Sequence, residues 1–137
     1  MFSYICKKLG LIMDINKQIE YWKSGAFNDI ETAELLIKNN KLLHGLFFCH
    51  LVIEKIIKAH VVKATKNVPP KSHNLNWLLE KTDLQLNNED KDFLGILMNY
   101  QLEGRYPQYF PPPPSNKIAY EYLSKTKELL SCLKKKL

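Results

Sequence analysis

Between Lys41 and Lys66 the chain reads KLLHGLFFCHLVIEKIIKAHVVKATK. Placed on a 3.6-residue helix, this run leaves no wide polar face. Leu42, Leu46, Ile53, Ile57 and Val61 point one way, Leu43, Phe47 and Leu51 lie beside them, and Phe48, Val52, Ile56 and Val62 take the far side. A helix that is apolar nearly all round is buried on several sides. His50, Glu54, Lys55 and Lys58 make the run too polar for a bilayer span, so the pattern predicts the central helix of a bundle. Glu54 and Lys58 are the anomaly: an i,i+4 charged pair beside Leu43, Phe47 and Leu51.

The flanking segments supply the layers that cover this helix. Ile15, Ile19, Trp22, Ala26, Ile30, Ala33 and Ile37 recur at three- and four-residue spacing and predict a helix over 15–38. Asp14 is its expected N-cap, and Asn39-Asn40 breaks the chain before the central helix. Pro69 and Pro70 end the central helix, and Ser72 is the expected cap of a short helix that buries Leu75, Leu78 and Leu79. Asn88 is the expected cap of a fourth helix with Glu89 and Asp90 in its first turn and Phe93, Ile96, Leu97 and Tyr100 on its inner face. Gly104 and Pro107 stop it. Pro111–Pro114 then form a polyproline II strut of roughly 12 Å at about 3.1 Å per residue, read as a rigid connector in preference to a PxxP ligand. Ser115 caps a fifth helix with Ile118, Tyr122, Leu129 and Leu133 along one side. No segment has strand period. The expectation is an all-α up-and-down bundle of four long helices plus one short helix, as a single domain over 15–137 behind a loosely ordered extension over 1–14.

Composition changes this picture little. At 137 residues, 45% hydrophobic and 25% charged, the chain is an ordinary globular domain with enough core to need neither disulfide nor metal. Cys6, Cys49 and Cys132 are odd in number and lack CxxC spacing, which fits a reducing compartment with Cys49 as a small buried hydrophobe. The first residues, MFSYICKKLGLIM, have the wrong order for a secretory signal, so the expected location is cytoplasmic, with no membrane span. Net charge is +6, but Lys7, Lys8, Lys134, Lys135 and Lys136 supply five of the twenty cations. The remaining fifteen nearly balance the fourteen acids. The basic ends are solvated tails rather than a nucleic-acid surface.

Most familiar chemistry is missing: no glycine-rich phosphate loop, GxSxG elbow or HExxH occurs. His44, His50, His60 and His73 provide no i,i+4 pair for a metal, and no cofactor is expected. Three small constellations remain. Glu54, Lys55 and Lys58 read either as a semi-buried ion pair or as a cation placed for phosphate. Ser72, His73 and Asn74 open a helix where backbone N–H groups can face an anion. Arg105-Tyr106-Pro107 presents a fork of donors beside a proline-fixed turn, suited to phosphate or carboxylate, or to the last carbonyls of the fourth helix, or to Glu54.

In order along the chain, AFNDIETAELLI, FFCHLVIEKIIKAHVV, SHNL and YQLEGRYP resemble the HEPN family, the higher-eukaryote and prokaryote nucleotide-binding domains. The resemblance runs from about Asn16 to Leu133 and rests on the EKxxKA, HxL and RYP elements. It implies a bundle of four or five helices, commonly a homodimer. In many members a nucleotidyltransferase partner completes a toxin–antitoxin pair. Many members are metal-independent ribonucleases with Arg-x(4–6)-His after the fourth helix. Here Arg105 matches the arginine, but Phe110, Pro111 and Pro112 occupy the histidine positions. Proline cannot supply the proton transfer that histidine gives near neutral pH.

The resemblance therefore implies a non-catalytic protein of the RYP type that binds a nucleotide or RNA phosphate. Arg105, Tyr106, Lys58 and His73 are the candidate contacts, and Glu54, Ser72 and Pro107 the supporting residues. Glu54 is expected to orient Arg105. The alternatives are a ribonuclease toxin with a displaced base, His73 being the reachable histidine, and a structural module that binds only protein.

Overall fold

A computed structural model of the protein describes the backbone of residues 4–137 and the side chains of residues 14–137. Its helices are α1 (Tyr4–Lys38), α2 (Leu42–Thr65), α3 (Leu75–Leu79), α4 (Asn88–Met98) and α5 (Asn116–Lys135), with a 3-10 turn at Pro107–Tyr109. Every other α-helix packs against α2. The protein is all-α, and no helix among the described residues is long and apolar enough to cross a membrane.

The all-round apolar pattern of α2 has the expected result. Leu46, Cys49, Val52, Ile53, Ile56, Ile57 and Val62 are wholly buried, and together they point in every direction from the helix axis. α1 lays Ala26, Ile30, Ala33 and Ile37 against it. The two helices come close because Gly45 faces Ile37 and the Ala33 carbonyl, where a Cβ would find no room.

The connection between them is set by backbone geometry. Asn40 takes the left-handed conformation at φ 63°, the Lys41 N–H donates to the Leu36 carbonyl at 2.8 Å, and the Asn40 N–H donates to Ile37 at 3.1 Å. That double closure is the Schellman stop, and asparagine is among the few non-glycine residues that tolerate it. Lys66 closes α2 in the same left-handed conformation, its N–H on the Val62 carbonyl.

Several sequence expectations shift by small amounts. α1 begins at Tyr4, well ahead of Ile15, so Asp14 lies inside the helix and caps nothing. Residues 1–3 of the expected N-terminal extension lie outside the described residues, as do the side chains of 4–13. α4 is capped by Asn87, whose Oδ1 accepts the Asp90 N–H at 2.8 Å, one residue before the expected Asn88. It ends at Met98, so Tyr100 lies beyond it. Ser115 caps α5 as expected, accepting the Ile118 N–H at 3.2 Å. The inner face of α5 is rotated from the expected one. Ala119, Leu123, Thr126, Leu130 and Leu133 are buried with Leu129, while Ile118 and Tyr122 are half-buried.

The far end of α5 is tied to α2 through its last carbonyls. His60 Nε2–H donates to the Leu133 carbonyl at 2.8 Å, and Lys63 Nζ donates to the Lys136 carbonyl at 2.6 Å. Lys63 satisfies a carbonyl past the helix end, His60 adds a second donor to the Leu133 carbonyl, which also accepts the Lys136 N–H at 3.2 Å, and both suit the negative end of the dipole.

Candidate functional site

α2 carries the polar residues of the site on its buried surface. Glu54 is 4% exposed and Lys58 is 6% exposed. An isolated charge at that depth is costly, so each must have partners. Lys58 Nζ donates to Glu54 Oε2 at 3.1 Å and sits 5.1 Å from the centre of the Trp22 ring, which adds a cation–π contact from α1. Glu54 Oε1 accepts from His73 Nδ1 at 2.8 Å.

His73 lies in the segment that Pro69 and Pro70 force away from α2, and it is fixed from three directions. Its ring meets Glu54 on the inner side. Its carbonyl accepts from His50 Nε2–H at 3.0 Å. Its outer ring nitrogen lies 3.2 Å from Glu103 Oε2. The next residue, Asn74, caps α3 by accepting the Trp77 N–H at 3.0 Å. Ser72, the expected cap, instead accepts the Asn74 N–H at 3.1 Å and shapes the turn ahead of the helix.

Glu103 belongs to a tight turn in which the Arg105 N–H donates to the Leu102 carbonyl at 3.1 Å and Gly104 holds φ at 80°. Such a φ suits glycine and lets the chain reverse between Glu103, which reaches across to His73, and Arg105. Arg105 is exposed; its Nη1 makes one long bond of 3.4 Å to the Asn99 carbonyl, just past the end of α4. It forms no ion pair among the described residues. Pro107 opens the 3-10 turn that follows, with Tyr106, 71% exposed, just before it and Tyr109, 68% exposed, at its end.

The structure brings Glu54, Lys58 and His73 together and links them through Glu103 to the turn that bears Arg105. It does not pair Glu54 with Arg105: both Glu54 oxygens are taken, and a guanidinium drawn that deep would exchange water for an occupied carboxylate. Arg105 takes the carbonyl at the end of α4 instead. Lys58 is turned inward with its ammonium spent on Glu54 and Trp22, so direct contact from Lys58 to an incoming phosphate does not fit its burial. Lys55 also points to structure, pairing with Asp29 of α1 at 2.6 Å, its side chain lying beside Gly25.

Sequence reasoning missed His50 and Glu103 as members of the site. Glu103 stands two residues before Arg105, and its charge was visible, but nothing local said that it would fold back onto His73. It also missed His44, which is exposed on α2 with its ring edge-on to Phe110, centroids 6.5 Å apart.

Burial lowers the pKa of His50 and of His60 below the usual histidine value, despite Glu54 beside the first and the Leu133 carbonyl beside the second. His50 donates through Nε2, and its Nδ1 has no hydrogen-bond partner. A histidine kept neutral in the fold takes up its proton later than in the unfolded chain as pH falls. Below about 6.5 the unfolded state binds more protons, so the stability held above that pH is progressively lost. Each such histidine contributes a slope of up to about 1.4 kcal/mol per pH unit. Thermal melts should therefore decline from pH 6.5 downward. His60→Gln, which keeps an N–H for Leu133, should flatten that decline. An unchanged acid slope in the variant would show that His60 is not kept neutral.

Cys49 is buried, and burial pushes its thiol up to about 11, consistent with packing rather than reactivity. Among the described residues no group of three or more His, Cys, Asp or Glu side chains is placed to hold a metal ion.

A family model described as HEPN domain matches residues 19–137. No curated protein and no solved structure matches the chain. The matched stretch contains the α2 core, the His73 segment and the turn carrying Arg105, and the bundle around them is all-helical; the chain belongs to the HEPN domain family.

Proposed function

We propose that this chain is a non-catalytic HEPN-domain protein that binds the phosphate of a nucleotide or of single-stranded RNA at the surface around Arg105. One observation carries the reading. The Arg105 side chain is exposed, bonded only by a long contact to Asn99, and followed directly by Tyr106 and the 3-10 turn that ends in Tyr109, both tyrosines largely open to solvent. A guanidinium offers a planar fork to phosphate oxygens, and exposed tyrosine faces stack bases without regard to sequence.

His73, oriented by Glu54, adds a ring against Glu103 of the neighbouring turn; Lys58 supports Glu54 from below, and Pro107 opens the 3-10 turn that ends in Tyr109. With Phe110, Pro111 and Pro112 where the ribonuclease histidine would stand, the proton-transfer group of that reaction is missing from its place. The same reading has the protein act as a homodimer in the cytoplasm, with a nucleotidyltransferase-domain protein as partner in a toxin–antitoxin-like pair. The exposed free thiol of Cys132 accords with a reducing compartment.

The test is fluorescence anisotropy with a short 3′-labelled RNA, alongside calorimetric titration with ATP and GTP. Arg105→Ala should weaken binding at least ~10-fold, the loss of a charge-assisted contact worth roughly 1.5–3 kcal/mol. Equal affinity of the variant for every ligand would remove Arg105 from the site.

A second reading, ribonuclease activity with a displaced base, is favoured by His44. Its exposed ring touches Phe110, the position at which the family histidine could follow Arg105. His73, by contrast, has both ring nitrogens facing carboxylates. The same RNA incubated with the wild-type protein decides between them. Intact RNA supports binding alone, whereas cleavage lost in both Arg105→Ala and His44→Ala supports the nuclease.

A further inference from the structure

We propose that Glu103 is a built-in competitor for the phosphate, a carboxylate that occupies the outer nitrogen of His73 until an incoming anion displaces it. The inference rests on the phosphate-binding reading above and names the residue that sets its affinity threshold.

Three observations support it. First, His73 is held from the inside: Nδ1 donates to buried Glu54 at 2.8 Å, and its carbonyl is fixed by His50. The ring therefore cannot turn away, and only its outer nitrogen faces solvent. Second, that nitrogen is covered by Glu103 Oε2 at 3.2 Å. With hydrogen on both nitrogens the ring would offer that outer position to an anion, and Glu103 stands where such an anion would sit. Third, the cover is loose. The Glu103 side chain is 62% exposed and the His73 side chain 41% exposed. An exposed charged contact of this kind is worth little, and a dianionic phosphate carries more charge than the carboxylate it replaces.

The turn makes the exchange local. Glu103 and Arg105 sit on either side of Gly104, with the Arg105 N–H already bonded to Leu102. Once Glu103 leaves His73, the outer nitrogen of the imidazole is uncovered beside the turn that carries Arg105. The ligand class that fits best is a terminal phosphate monoester, whose second negative charge pays the displacement that an internal phosphodiester cannot.

Glu103→Gln keeps the shape and a hydrogen-bonding amide but removes the charge. The probe is a short 3′-labelled RNA carrying a 5′-phosphate, compared with the same RNA bearing a 5′-hydroxyl, by anisotropy at fixed salt. Glu103→Gln should bind the phosphorylated RNA about 3- to 5-fold more tightly than wild type. The hydroxyl form should gain less, and the gain should vanish in Glu103→Gln/His73→Gln. Equal or weaker binding by Glu103→Gln, while Arg105→Ala still lowers affinity in the wild-type background, overturns the competitor role and leaves the binding site standing. Binding that appears only in Glu103→Gln supports masking by the carboxylate. No binding by wild type or Glu103→Gln overturns both readings.

Discussion

Glu54→Leu is expected to lower stability by about 3–5 kcal/mol, the loss that follows when one member of a buried ion pair is removed. Lys58 would stay 6% exposed with its ammonium facing an apolar side chain, and the Trp22 face alone cannot compensate it. A cation–π contact is worth up to about 2 kcal/mol when desolvated, well below the cost of an unpaired buried charge. His73 would lose its inner partner at 2.8 Å, and with it the restraint on the turn through Glu103.

Chemical denaturation should show the full loss. Glu54→Leu/Lys58→Met should recover a large part of it, because an apolar pair of similar volume carries no uncompensated charge. The recovery should stop short of wild type, since the double variant still leaves His73 without Glu54. A single-variant loss under about 1 kcal/mol would mean that water reaches the pair and that the burial seen here does not hold in solution.

The same carboxylate shows where sequence reading reached and where it stopped. That α2 would be central was legible, because Ile53, Ile56, Ile57 and Val62 cannot all face one neighbour, and burial on every side is the only arrangement that removes them from water. The break at Asn39-Asn40 was legible because asparagine tolerates the left-handed conformation that the Schellman stop requires. Ser115 was legible because a cap is a local bond, three residues long.

The partner of Glu54 was not legible. Arg105 and His73 were both available charged or polar groups, and the choice depended on how deep each element settles. The segment after Pro69 and Pro70 lies against α2 and delivers His73, while the turn after α4 ends with Arg105 pointing to solvent. For the same reason Ser72 and Asn74 could not be told apart as the α3 cap: both are good capping residues, and Asn74 wins because α3 starts at Leu75, which packs into the core. The rotation of α5 was missed because Thr126 reads as polar. Its hydroxyl donates to the Tyr122 carbonyl at 2.7 Å, which satisfies it within the helix and lets it face inward.

Three glycines on helices should separate packing from propensity. By propensity alone, alanine for glycine in a helix interior gains about 1 kcal/mol. Gly95 of α4 has nothing within 4 Å of where a Cβ would stand, so Gly95→Ala should stabilise by about 0.4–1 kcal/mol. At Gly25 the nearest atom is Lys55 Cδ at 3.1 Å, on a side chain anchored to Asp29 by its far end; Gly25→Ala should fall near neutral as that flexible stem shifts. Gly45 is different in kind. A Cβ there runs into the Ile37 side chain and stands 3.3 Å from the Ala33 carbonyl, and both belong to the buried stripe of α1. Neither can yield without moving one long helix against the other. Gly45→Ala should therefore destabilise by about 1–3 kcal/mol despite its better helix propensity, and Gly45→Val by more than that. Urea melts of the three alanine variants would give the order directly. A stable Gly45→Ala would mean that α1 and α2 can separate slightly at no cost, and the tight crossing would then not be what sets the bundle's geometry.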